Sequence, residues 1–147
     1  MADWITVKGS LHGKDRPRFN RDTGAVYTPK QTREYEELVA WCYKMQGGRH
    51  WLDQPVEVEI IAYFGAPKVS KKRRLLMLLG KLFPLIKPDA DNIAKIILDA
   101  LNGVAYNDDK QVTDLIVRKR YAEEPRLLVM VDRHMVKGRK HEATEFI

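Results

Sequence analysis

At 147 residues the chain has the length of one domain, and 44% hydrophobic with 31% charged residues is the composition of a folded globule, not a disordered segment. Its 26 Lys and Arg against 20 Asp and Glu give a net charge of +6, which favours a polyanionic partner. Cys42 is the only cysteine and no apolar run reaches membrane-spanning length, so an intrachain disulfide and a cysteine-built zinc site are excluded, and no membrane partner and a cytoplasmic setting are expected.

Residues 4–8 alternate apolar and polar side chains as a short strand does, and residues 16–28 form a hairpin pattern broken at Asp22-Thr23-Gly24. After Pro29, the apolar positions Tyr35, Leu38, Val39 and Cys42 recur at helical spacing, and Gly47-Gly48 ends this first helix. In residues 56–64, Val56, Val58, Ile60 and Ala62 alternate with Glu57 and Glu59, a strand that grows more buried towards its end. Ser70 is placed to cap a short basic helix running to Leu79 and closed by Gly80, with both charge and an apolar stripe. Ile93, Ile96, Ile97, Ala100 and Leu101 repeat at the spacing that buries one face, which predicts a helix over 89–103 with Gly103 as terminator. Two strands follow, over 111–121 and 126–131, joined at Glu123-Glu124-Pro125, and from Arg133 the chain becomes a polar, basic tail. No internal repeat and no linker divides residues 1–147, so one domain is expected.

Asp89 and Asp91 stand one residue apart at the start of the isoleucine-rich helix, where the dipole and unpaired N–H groups favour carboxylates, so capping explains either one alone. At about 100° per residue, Asp91, Lys95 and Asp99 share a polar stripe opposite the isoleucines, which an ordinary solvated face with an i,i+4 ion pair would also produce. Asp108 and Asp109 are turn residues in their own right. If the following strand doubles back beside the helix, the pair approaches the Asp89–Asp91 end. Their concentration is what argues for more, because acids gathered in a basic chain repel one another unless a cation sits among them. Oxygen donors without a cysteine or a histidine pair point to Mg²⁺, with Mn²⁺ as a substitute, and the spacing of a calcium-binding EF-hand loop is absent. His12, His50, His134 and His141 are scattered and are ordinary polar residues unless the fold gathers them.

Between residues 65 and 88 there are seven basic residues and no acidic one. Of these, Lys68, Lys71, Lys72, Arg73, Arg74 and Lys87 are the candidates for contacts to nucleic-acid phosphates, a solvated helix face being the alternative. Trp41, Trp51 and Tyr106 could stack on bases, but aromatic side chains more often fill a core.

Three segments taken together, Lys87-Pro88-Asp89-Ala90-Asp91-Asn92-Ile93-Ala94-Lys95, Leu98-Asp99-Ala100-Leu101-Asn102-Gly103 and Asn107-Asp108-Asp109-Lys110-Gln111-Val112, resemble the RusA family of Holliday-junction resolvases in order and spacing. Arg16-Pro17-Arg18 and Tyr27-Thr28-Pro29 resemble its phage-borne, prophage-type branch. The resemblance implies an α+β fold, a mixed sheet packed against helices in two layers, and a homodimer that makes paired nicks in four-way or branched DNA during recombination and repair. It implies that Asp89, Asp91 and Asp109 bind the metal and act in catalysis with Lys95, and that Asp99 and Asp108 play supporting roles. Residues 68–81 and the tail carry no motif of the family. Two rivals stand beside this reading: another metal-dependent nuclease acting on branched DNA, and a catalytically silent basic module whose acids only cap helices. Pro88-Asp89 also fits restriction-type nucleases, but these need an acid-x-Lys on a strand and Lys95 falls in a helix.

Overall fold

In the computed structural model, which describes residues 3–134, the elements in chain order are β1 (Ile5–Lys8), the two-residue strands β2 (Arg18–Phe19) and β3 (Val26–Tyr27), α1 (Lys30–Met45), β4 (Val56–Gly65), α2 (Lys71–Leu78), α3 (Ala90–Leu101), β5 (Val112–Ala122) and β6 (Arg126–Arg133). Every element expected from the sequence is present, with ends within two residues of expectation. The predicted basic tail runs into β6 at Arg133, and beyond residue 134 it lies outside the described residues.

The main sheet has the order β1-β6-β4-β5 and is mixed: β4 pairs parallel with β5 and antiparallel with β6, which pairs antiparallel with β1. A parallel pair cannot be closed by a tight turn, and the chain between β4 and β5 supplies the long crossover through α2 and α3. Along β4, Val56, Val58, Ile60, Ala62 and Phe64 are buried in one core with Val39, Cys42 and Tyr43 of α1 and Ile93, Ile96, Ile97 and Leu101 of α3. The intervening Glu57, Glu59, Ile61 and Tyr63 are only half-buried on the opposite face. The expected two layers are therefore formed, with α1 and α3 on one side of the sheet.

Two sequence expectations shift in detail. Leu38 is not in the α1 contact face, which runs through Thr32, Tyr35, Val39, Cys42 and Tyr43, and it stays 40% exposed. The apolar stripe of α2 is only partly covered: Met77 is buried and Leu76 and Leu78 are half-buried, whereas Leu75 and Leu79 are exposed. At the end of α3, Gly103 takes a φ of +73°, a left-handed conformation that costs glycine nothing, and turns the chain sharply away from the helix axis.

Candidate metal centre and nucleic-acid interface

Asp89 is the residue immediately before α3, in extended conformation, and its side chain makes no capping hydrogen bond. Asp91 lies in the first turn, and both side chains are exposed. The structural role that would most simply explain Asp89 is thus not exercised. Two carboxylates at the positive end of the helix dipole are left facing outward. One turn on, Lys95 is exposed and pairs with no carboxylate among the described residues, so the i,i+4 ion pair with Asp91 that an ordinary solvated face would offer is not formed.

Asp99 has a partner that periodicity could not reveal. Lys14 Nζ lies 3.2 Å from Asp99 Oδ2 and 2.5 Å from Glu36 Oε1, tying residues 11–16 to both α1 and α3. Burial alone would lower the Lys14 pKa, but the two carboxylates outweigh it and hold the ammonium above its ordinary value.

Asp108 is structural: its carboxylate accepts from Lys110 N at 2.9 Å, and Gln111 Oε1 accepts from Asp108 N at 3.2 Å, a reciprocal cap on the short 3₁₀ turn Asp109–Gln111. Asp109 is in the less favourable position. Burial first, and then the neighbouring Asp108 and Asp99 carboxylates, push its carboxyl above the usual range, while the bond from Lys110 N holds Asp108 below it. An ionised Asp109 therefore sits among like charges, and a cation placed there would offset them.

The structure brings these acids together as two groups, not one. The Asp109 N–H donates to Asn102 Oδ1 at 2.9 Å, and the buried Tyr106 hydroxyl donates to Leu98 O at 2.8 Å, so the connector is pinned to the C-terminal end of α3. Asp89 and Asp91 occupy the other end, and at 1.5 Å per residue the twelve residues of α3 span about 18 Å. β5 does run back beside α3, but Asp109 stands just before the start of that strand with its backbone held at Asn102, so within one protomer it lies near the helix end opposite Asp89 and Asp91.

Of the candidate phosphate contacts, Lys68, Lys71, Lys72, Arg73 and Lys87 are exposed and Arg74 is half-buried. Ser70 Oγ accepts from Arg73 N at 3.3 Å, capping α2 as expected. Four consecutive cations at the positive end of a helix dipole are unfavourable by themselves, a cost that a bound polyanion offsets. Tyr106 belongs to the core and Trp51 is half-buried, whereas Trp41 is 60% exposed.

The fold also gathers one histidine. His134 Nδ1 lies 3.1 Å from Asp114 Oδ1 and 3.5 Å from Glu57 Oε1, and the three ligand atoms lie within 4.8 Å of one another where β4, β5 and β6 meet. Sequence spacing could not find this group, since its members come from β4, β5 and the residue just after β6. Thr113 Oγ1, at 3.1 Å, also faces His134 Nδ1, so the cluster is already a connected polar network, and it contains none of the predicted aspartates.

Comparison with known proteins adds two findings. The sequence pattern of the family described as endodeoxyribonuclease RusA matches residues 8–132. The chain is 37% identical over 132 residues to the uncharacterized protein YqaN of Bacillus subtilis (strain 168), an overlap covering 86% of this chain and 93% of that protein. Among the described residues, no helix is long and apolar enough to cross a membrane.

Proposed function

This chain belongs to the RusA endodeoxyribonuclease family, and from that premise we propose that it is a Mg²⁺-dependent nuclease that resolves four-way DNA junctions by paired hydrolysis of phosphodiester bonds, in cytoplasmic DNA recombination and repair. The observation that carries this reading is the state of the family's central motif: Asp89 is uncapped, Asp91 is exposed beside it, and Lys95 is unpaired among the described residues. Carboxylates and a lysine kept for structure would be expected to satisfy one another.

The donor set fits a hard divalent cation. It consists of carboxylate oxygens, and Asp109 has a carboxyl whose surroundings disfavour its charge until a cation arrives. Asp89, Asp91 and Asp109 would hold the ion, with Mn²⁺ as a substitute. When bound, Mg²⁺ supplies a Lewis acid for a phosphate oxygen and acidifies a water for in-line attack. Lys95, one turn beyond Asp91 on the same helix, would supply an ammonium for the negative charge that builds on the phosphate. Asp99 and Asp108 support the site, the first through Lys14 and the second by fixing the turn that carries Asp109.

The separation along α3 bears on the quaternary state. For all three carboxylates to reach one ion, Asp89 and Asp91 must meet Asp109 of the partner subunit, so a two-fold dimer would complete two equivalent sites, one for each strand cut. An apolar surface suited to this precedes Asp89 directly in the chain: Leu79, Phe83, Leu85 and Ile86 are 61%, 49%, 91% and 58% exposed. The edge strand β5, which follows Asp109, exposes Leu115 and Ile116. Several large apolar side chains left exposed in one short segment are a feature of interaction sites.

The deciding experiment incubates the protein with a synthetic four-way junction and a matched linear duplex, with and without Mg²⁺. Symmetrical nicks confined to the junction and dependent on Mg²⁺ are expected. Junction binding without any cutting would instead identify a silent DNA-binding module.

Neutralising Lys71, Lys72, Arg73 and Arg74 together is expected to weaken junction binding and flatten its salt dependence, by roughly 0.9 in log–log slope for each phosphate that the protein ceases to neutralise. The cleavage rate at saturating DNA should change far less. A binding titration across a salt series measures both, and an unchanged slope would assign this face of α2 to solvent or to protein.

A further inference from the structure

The Asp89 end of α3 forms one wall of a groove of about 590 Å³, whose other wall is residues 11–16. Arg16 and Lys87 line it together with Asp89; both cations are exposed, and neither pairs with a carboxylate among the described residues. The third cation of the groove, Lys14, is committed to Glu36 and Asp99, and its backbone N–H donates to Asn92 O at 3.1 Å, so it fastens one wall to the other. Gly13 sets how closely the walls approach. A Cβ there would lie 2.8 Å from Pro88 Cβ and 3.1 Å from Asn92 Cβ, too close for any side chain without pushing the walls apart.

The groove's other carboxylate, Asp15, accepts from the Thr32 hydroxyl at 2.8 Å and faces His12, which leaves two uncommitted cations beside Asp89, itself placed to hold a cation: a pattern suited to a run of phosphates with one phosphate at the metal and the next on the cations. We propose that this groove is the track for the DNA strand being cut, and that Arg16 and Lys87 grip the phosphate adjacent to the scissile one. The guanidinium of Arg16 suits a two-point grip on phosphate oxygens, and Lys87 supplies a point charge from the wall that carries Asp89. These are positioning residues: they fix the register in which the strand meets Asp89 and Asp91. The inference rests on the nuclease reading above and adds the path of the strand.

The test uses the full chain and a labelled four-way junction, with binding measured in EDTA across a salt series and single-turnover cleavage measured in Mg²⁺. Arg16→Ala with Lys87→Ala is expected to weaken binding roughly tenfold or more and to lower the salt slope by about 1.4 to 1.8, the release expected for two phosphates on single- or double-stranded DNA. Cuts should also spread over neighbouring phosphates, which a loss of stability alone would not produce. Arg16→Lys should keep most of the slope, and Gly13→Ala should spread the cuts without removing a charge. Lys44→Ala, in the last turn of α1, serves as the surface control and should behave as the parent. If the parent cuts junctions and the double variant binds with the parental slope and cuts at the parental position, the groove assignment is overturned while the nuclease reading stands. If the parent neither binds nor cuts branched DNA, both fall.

Discussion

Asp89→Asn, Asp91→Asn and Asp109→Asn are each expected to reduce junction cleavage by at least about 10²- to 10³-fold while leaving junction binding in EDTA within a few-fold of the parent. The size follows from losing a charged ligand whose ion stabilises several kcal/mol of transition-state charge, at 1.36 kcal/mol per tenfold in rate. Binding should survive because the cations that meet the phosphates are untouched, and removing a negative charge near DNA can only help it. Near-normal turnover in two of the three variants at saturating Mg²⁺ would remove the site.

Stability distinguishes this from a structural role. A carboxylate that capped α3 would cost about 1 kcal/mol on replacement, but Asp89 makes no capping bond, so Asp89→Asn should melt with the parent when metal is absent. Asp109 should show the opposite of a structural residue. Its folded pKa is raised above the ordinary 3.8, so the folded state holds this proton more tightly than the unfolded state does. Its contribution to stability is then best below the unfolded value and declines as pH rises through the window between the two. Asp109→Asn removes that decline at neutral pH and should melt no lower than the parent. Added Mg²⁺ should raise the melting temperature of the parent and not that of the variants.

The elements were legible because hydrophobic periodicity is a local signal: the isoleucine face of α3 and the alternation along β4 follow directly from which side chains the core can accept. The family resemblance was legible for the same reason, since its motif is contiguous around α3. What lay beyond the sequence is what depends on three-dimensional placement. Lys14 joins Glu36 and Asp99 across three segments, and His134, just after β6, meets Glu57 of β4 and Asp114 of β5; no spacing rule connects such residues. Whether Asp109 approaches Asp89 within one chain or through a partner subunit was left open by the sequence, for a definite cause. Connector length was visible in the sequence, but the two anchors that hold it at the far end of α3, Asn102 to Asp109 N and Tyr106 to Leu98 O, were not.

That anchoring gives the second large effect, a rescue by mixing two inactive proteins. If each site takes Asp89 and Asp91 from one subunit and Asp109 from the other, a dimer of one Asp91→Asn chain and one Asp109→Asn chain has one site with both defects and one site with neither. After subunit exchange about half of the dimers are mixed, each with one intact site, so nicking should return to about a quarter of the parental number of cuts per dimer. The product should change as well: single nicks in one strand of the junction, because the opposing site in the same dimer is dead. A site built within one protomer predicts no rescue at any mixing ratio, since every protomer then carries its own defect. Breaking the proposed interface with Leu85→Asp should abolish the rescue and the parental activity together, while each chain keeps its folded circular-dichroism signal, because Leu85 is 91% exposed and contributes little to the core of its own protomer.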